Sequence, residues 1–224
     1  MDADWLRDVT RRADLHGVLS DPGRLAIVEM LTWGDRSPSD VAADLQMTSN
    51  LLAHHVNVLA EHGLVRRTRS EGDRRRTYLS LVPGALGGLR PLQRRPDRPA
   101  RVLFVCTANS ARSQLAAALW RAACDVPVAS AGTHPAPAVA EGAVRAARRH
   151  RLPGLGSPHT LVEVHRPGDF VVTVCDRAHE ETAGLADSHW SVPDPVRVGS
   201  DVAFDSALTE LDRRVNQLLP LLTT

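Results

Sequence analysis

The chain has 224 residues, 43% of them hydrophobic, enough apolar material for one large domain or two ordinary ones and too much for a disordered chain. No run approaches the length of a membrane span, the start Met1-Asp2-Ala3-Asp4 is acidic where a signal peptide is basic, and three cysteines (Cys106, Cys124 and Cys175) are the wrong arithmetic for a disulfide scaffold; a cytoplasmic protein with chemically active cysteines is expected. The formal net charge of +1, with Arg as its sole cation, hides an acidic stretch to residue 63, an intensely basic one over 64–101 and a mildly acidic remainder.

Asp21-Pro22 is a helix start, with Asp as cap and Pro in the first turn, and Leu25, Val28 and Leu31 then recur on one face. A second short helix fits Ser39 to Leu45. After the turn Gln46-Met47-Thr48 a longer helix runs from about Ser49 to His62 and stops at Gly63, with Leu52, Val56 and Leu59 as its buried stripe. Helical spacing puts Asn50, His54, Asn57 and Glu61 opposite that stripe. Asn can pair with adenine, and Ser49, Asn50, His54 and Asn57 near the start of such a helix can reach base edges or phosphates, although an ordinary solvated face looks the same.

Next comes a hairpin, Leu64 to Arg69, a turn through Glu71-Gly72-Asp73, and Arg74 to Leu81. Arg66, Arg67, Arg69, Arg74, Arg75 and Arg76 crowd around that one turn. A wing of this kind lies along nucleic-acid backbone, where each Arg neutralises phosphate and releases counterions; Arg67, Arg69 and Arg74 to Arg76 are the candidate contacts. The stretch from Pro83 to Pro99, dense in Pro, Gly and Arg, reads as a linker, giving a first domain over 1–83, a linker over 84–99 and a second domain over 100–224.

In the second domain, strand-like runs such as Val102 to Val105 and Phe170 to Val174 alternate with helical ones, the pattern of a parallel α/β sheet. The first run leads into Cys106-Thr107-Ala108-Asn109-Ser110-Ala111-Arg112-Ser113, a loop that opens a helix over Ser113 to Ala123. Backbone N–H groups of Thr107 to Arg112 and the helix dipole make an anion cradle with a thiol at its floor, and that potential stabilises the nucleophilic thiolate. Arg112 can grip two oxygens of a bound anion, and Ser113 can donate to the sulfur. A proton must reach the leaving oxygen; Asp194, between Pro193 and Pro195, is the candidate acid. The ten histidines show no metal-ligand spacing, so no metal is expected.

The Asp21-Pro22-x-Arg24 opening, the Leu52, His55, Leu59, Gly63-Leu64-Val65 pattern and the Arg-rich hairpin resemble the ArsR family of winged-helix repressors over residues 12 to 82. The resemblance implies an α+β winged helix-turn-helix domain that binds operator DNA as a homodimer. Unlike arsenic-sensing members, this segment has no cysteine. The stretch after the hairpin, Val82 to Gly88, is a poor dimerisation helix, which shifts dimerisation to the first helix around Trp5, Leu6, Val9 and Leu15 or to the second domain.

Cys106 to Ser113, Ser130-Ala131-Gly132-Thr133 and Asp194-Pro195 look like the low-molecular-weight tyrosine phosphatase fold, which includes thiol-dependent arsenate reductases. The resemblance implies an α/β domain with a central parallel four-stranded sheet, Asn109 and Ser130 as loop supports, and Asp194 as general acid. Val172 to Ala178, with Cys175, and His189 to Pro195 resemble the reductase branch, and Val196-Arg197 stands where phosphatases carry aromatic residues. Reducing arsenate takes two electrons, and Cys175 can supply the second thiol. Position 182 is Thr where thioredoxin-coupled reductases have a third cysteine. The expectation is therefore an ArsR-like regulator fused to an arsenate reductase, without bound cofactor and served by thioredoxin, a glutaredoxin-like protein or a low-molecular-weight thiol. Its rivals are a fused tyrosine phosphatase and a non-catalytic regulator that senses phosphate or arsenate.

Overall fold

A computed structural model describes residues 3–86 and 99–222. Two compact units emerge, Met1–Arg69 with Arg76–Gln93, and Ser70–Arg75 with Arg94–Thr224. Most of the Pro, Gly and Arg-rich linker read from the sequence lies outside the described residues.

The first unit begins with α1 (Ala3–Leu19), α2 (Pro22–Trp33), α3 (Pro38–Asp44) and α4 (Ser49–Glu61). Local chemistry sets three of the starts. Asp21, Ser37 and Thr48 each turn a side-chain oxygen onto the N–H three residues on, at 2.9, 3.2 and 3.3 Å, satisfying donors that the first helical turn leaves open. Gln46, at φ +53°, turns the chain between α3 and α4, and Gly63, at φ +67°, supplies the left-handed residue that ends α4.

Strand β1 (Val65–Arg69) pairs antiparallel with β2 (Thr77–Leu81), Val65 facing Leu81, and Arg36 adds a bridge to Leu79. The core draws Leu15, Val18 and Leu19 from α1, Ile27, Val28 and Leu31 from α2, Leu52, Val56 and Leu59 from α4, and Leu79 from β2. Two expectations change. Ile27 takes the fully buried place on α2 and Leu25 is only half-buried, because neighbours cover more of that helix than one stripe. Leu15 belongs to this core, which removes it from the surface set around Leu6 and Val9; nothing is described of the Trp5 side chain. Residues 83–86 form a turn.

The second unit is built on β3 (Arg101–Cys106), β4 (Val128–Gly132), β5 (Asp169–Thr173) and β6 (Ser188–His189), all parallel in the order β4-β3-β5-β6. Between and after them come α5 (Arg112–Ala123), α6 (Glu141–Arg149), α7 (Leu161–Val164), α8 (Asp176–Glu181), α9 (Pro195–Val198) and α10 (Asp201–Leu222). The expectation of an α/β domain with a central parallel four-stranded sheet holds. Strand β3 is buried from Val102 to Cys106, as a parallel strand covered on both faces must be, and α5 is buried along most of its length. Phe104 packs edge-on to Trp120 and against Trp190, with ring centres 6.1 and 5.5 Å apart. Arg101 and Asp169 face each other in register and make two hydrogen bonds of 2.8 and 2.7 Å. Strand order reverses at β3, so the loops after β3 and β5 part at its C-terminal end, where such sheets open a crevice. Among the described residues no helix is long and apolar enough to cross a membrane.

Candidate active site

At that crevice the loop from Cys106 to Arg112 wraps a cavity of about 280 Å³, on which Cys175, Asp176, Arg177, Asp194, Val196 and Arg197 also open. The loop is held from outside. Carbonyls of Cys106, Thr107, Ala108 and Ser110 accept hydrogen bonds from the N–H groups of Thr133, His134, Ala136 and Ala140, at 2.8 to 3.1 Å. In a trans peptide the N–H points opposite the carbonyl, so the N–H groups of Thr107, Ala108, Asn109 and Ala111 turn inward. The Asn109 N–H bears this out, donating to Cys106 Sγ at 3.2 Å. Helix α5 starts at Arg112 without a side-chain cap, leaving its first-turn donors for an anion.

Asn109 adopts φ +48°, a conformation Asn tolerates better than most residues. Its Nδ2 donates to Ser113 Oγ at 2.8 Å, which leaves the Ser113 hydroxyl hydrogen for Cys106 Sγ, 3.0 Å away. Asn109 Oδ1 accepts from His159 N–H at 2.9 Å and from Gln114 Nε2 at 3.3 Å. A buried chain of hydrogen bonds therefore ends on the sulfur.

Arg112 is nine-tenths buried. It donates to the Val192 carbonyl at 3.0 Å and lies 3.3 Å from Asp194 Oδ2. Burial opposes its charge, but the nearby Cys175 and Cys106 sulfurs and the Asp194 and Glu71 carboxylates hold it more firmly protonated than usual. Asp194 caps α9, its Oδ1 accepting from Val196 N–H at 3.1 Å, so the flanking prolines and the cap fix the carboxylate.

Cys175 reaches the same cavity from the next strand. Val105 faces Thr173, and Val174 N–H donates to the Val105 carbonyl at 2.7 Å, so the two cysteines leave neighbouring strand ends. Cys175 Sγ lies 3.4 Å from Thr107 Oγ1 and accepts from Ala178 N–H at 3.4 Å as the cap of α8. Burial pushes this thiol up, Arg112 pulls it down and Cys106 pushes it up again, with a net rise. All three cysteines are free.

Residues 101–224 match the low molecular weight phosphotyrosine protein phosphatase family. The chain belongs to that family. Within the low molecular weight phosphatase domain a solved arsenate reductase from Archaeoglobus fulgidus is 29% identical, covering 53% of this chain and 98% of its own, at a TM-score of 0.46. A tyrosine phosphatase from Erwinia amylovora is 19% identical, covering 56% and 95%, at a TM-score of 0.49. Ahead of the phosphatase domain, residues 19–68 match a helix-turn-helix domain. An arsenical resistance operon repressor from Staphylococcus xylosus is 37% identical over 57 residues, 25% of this chain and 54% of that protein, so the chain spans about half the length of this curated relative.

In the phosphatase domain Ser130 stands on β4 opposite Phe104, half-buried. Gly132, two residues on, is what touches the anion loop: a Cβ there would come within 2.7 Å of the Thr107 carbonyl. Sequence reasoning missed Gln114, adjacent to Ser113, and Glu71. Glu71 belongs to the second unit and accepts from Asp194 N–H at 2.9 Å and Arg197 at 2.7 Å, with Arg112 at 3.9 Å. No local motif marks such a contact. In the helix-turn-helix domain Ser49, Asn50, His54 and Asn57 are exposed on α4, whereas His55 is buried. Arg67, Arg69, Arg74, Arg75 and Arg76 are exposed; Arg67 donates to Asn57 at 2.7 Å and Arg75 pairs with Asp73 at 3.1 Å.

Proposed function

We propose that the phosphatase-fold domain is a thiol-dependent arsenate reductase and that the helix-turn-helix domain regulates arsenic-resistance genes in the cytoplasm by binding operator DNA as a homodimer. The observation that carries the enzymatic half is that two thiols, Cys106 and Cys175, open on one cavity with Arg112 beside them. Hydrolysing a phosphate ester requires one thiol; taking arsenate to arsenite requires two.

In this reading the backbone N–H groups of Thr107 to Arg112 and the Arg112 guanidinium hold arsenate, and Cys106 Sγ attacks arsenic. A sulfur–arsenic bond forms, one arsenic–oxygen bond breaks, and Asp194 protonates the departing oxygen, which leaves as water. Cys175 Sγ then attacks Cys106 Sγ. A disulfide forms while the sulfur–arsenic electron pair passes to arsenic, so As(V) becomes As(III) and two thiols become one disulfide. Position 182 caps α8 as Thr, so no third cysteine takes over there. An external thiol reductant, whether thioredoxin, a glutaredoxin-like protein or a small thiol, reopens the disulfide or accepts arsenic directly from Cys106.

For the regulatory half, the exposed α4 face and the Arg-rich strand residues suit a DNA groove and its phosphates. Leu6 and Val9 on α1 are exposed and apolar, the surface we assign to a second copy. The Cys106, Arg112 and Asp194 set serves phosphate-ester hydrolysis equally well, which makes tyrosine phosphatase the second reading. The deciding experiment is arsenate reduction by the full chain, with Cys106→Ser and Cys175→Ser alongside and p-nitrophenyl phosphate as the competing substrate. Arsenite formation that needs both cysteines supports the reductase. Brisk ester hydrolysis that ignores Cys175, with no arsenite formed, installs the phosphatase, and neither activity leaves an oxyanion sensor.

A further inference from the structure

Directly after Cys175, Asp176 buries its carboxylate in the first turn of α8 beside a pocket built for anions, where an unpartnered negative charge would repel the ligand. Its charge is instead taken up from behind. Asp176 Oδ1 lies 3.1 Å from His189 Nε2, and both side chains are 2% exposed. A carboxylate only accepts, so Nε2 carries the hydrogen, and Nδ1 meets Thr173 Oγ1 at 3.0 Å. The imidazole stacks on His179, ring centres 4.1 Å apart and nearly parallel, and His179 Nδ1 also reaches Thr173 Oγ1 at 3.1 Å. The second carboxylate oxygen accepts from Glu71 N–H at 2.6 Å, and Ser191 adds a further hydrogen bond. The network is thus anchored on β5 through Thr173 and on β6 through His189. It grips the residue next to the thiol without using Cys106, Arg112 or Asp194.

We propose that Asp176 and His189 are a positioning pair for Cys175: by fixing the turn after β5 they keep the Cys175 sulfur on the cavity wall, in line for Cys106. Closing of the Cys106–Cys175 disulfide depends on the pair, and reactivity at Cys106 itself does not. The inference rests on the two-thiol reading but not on arsenate being the oxidant. Hydrogen peroxide can drive the same closure: Cys106 thiolate takes one oxygen to become sulfenic acid, releasing hydroxide, and the Cys175 thiol attacks that sulfur, its own proton leaving with the displaced oxygen as water and the disulfide remaining.

The test uses the full chain with Cys124→Ser, comparing His189, His189→Leu and His189→Gln, whose amide reproduces the Nε2 donor. Two rates are read by mass spectrometry: closure of the disulfide after peroxide or arsenate, and alkylation of Cys106 by iodoacetamide. His189→Leu is expected to slow closure about tenfold or more, since a thiol displaced by a fraction of an ångström loses its line of attack, and to leave Cys106 alkylation within about twofold. His189→Gln should recover closure to within about threefold of the parent. The proposal is overturned if His189→Leu closes at the parent rate, if both rates fall together, if a His189→Gln protein with the parent's thermal midpoint stays slow, or if the parent closes with neither oxidant. Closure by peroxide but not arsenate, still dependent on His189, removes arsenate from the function and leaves the pair standing.

Discussion

Cys175 sits where burial and a neighbouring cysteine both favour the neutral thiol, with Arg112 as the opposing influence. Because its titration is displaced upward, the group stays protonated at neutral pH and ionises only at higher pH than an ordinary thiol near 8.5. In a full-length Cys106→Asp, Cys124→Ser protein, which keeps a negative charge beside Cys175, iodoacetamide should therefore modify Cys175 slowly through pH 8, the rate climbing only above the range of a free thiol. A rate profile like that of free cysteine would contradict the electrostatics. At this scale the sequence is readable where chemistry is contiguous: Cys106 to Ser113 forms one loop, and Asp21 caps the helix it begins. Asp176 and His189 escaped notice as a pair because one opens α8 and the other lies on β6, and they meet only through tertiary packing. Glu71 escaped for the same reason, since a close approach between distant segments leaves no mark on either, and Gly132 stood in the Ser130 to Thr133 motif without its contact to the anion loop being readable.

The elements around the site are tuned to each other's spacing. Strand β4 carries Gly132 against the anion loop, and any Cβ there meets a backbone oxygen that the loop's own hydrogen bonds keep in place. Gly132→Ala should cost about 1–3 kcal/mol and lower the thermal midpoint, with weaker phosphate binding as the loop shifts. A variant as stable as the parent, with unchanged phosphate affinity, would show that the loop yields freely. Strands β3 and β5 are tied by Arg101 and Asp169, whose carboxyl is pushed up by burial but held below the usual carboxylate range by Arg101 and the Arg166 N–H. A depressed native value means that stability from this group is complete above the unfolded value near 4 and is lost as pH falls through the lower native one. Asp169→Asn should reduce stability at pH 7 by about 1–3 kcal/mol, and the gap to the parent should narrow as urea midpoints are followed down to pH 3. A gap that widens on acidification would reverse the sign. Caps and apolar runs made these strands and helices legible, whereas Leu25 and Ile27 exchanged roles on α2 because neighbours, not periodicity, decide how wide a buried face becomes.

For the molecule as a whole, the sequence already separates a helix-turn-helix domain from a phosphatase domain by a basic, Pro-rich stretch, and the two family matches fall on either side of it. Operator binding in the full chain should weaken steeply with salt, and Arg69→Ala should lower the slope of log K against log salt by about one, the signature of one lost phosphate contact. An unchanged slope would take Arg69 out of the interface. The uneven charge along the sequence carries that expectation.

The central claim is that two thiols share one oxyanion. Its most direct measurement is a single turnover of arsenate by the purified full chain, scoring arsenite against free thiols lost. The account predicts one arsenite and two thiols consumed per chain, with Cys106→Ser and Cys175→Ser each abolishing the product. Arsenite formed at full yield by Cys175→Ser without added thiol, or no arsenite with or without added thiol, would contradict it.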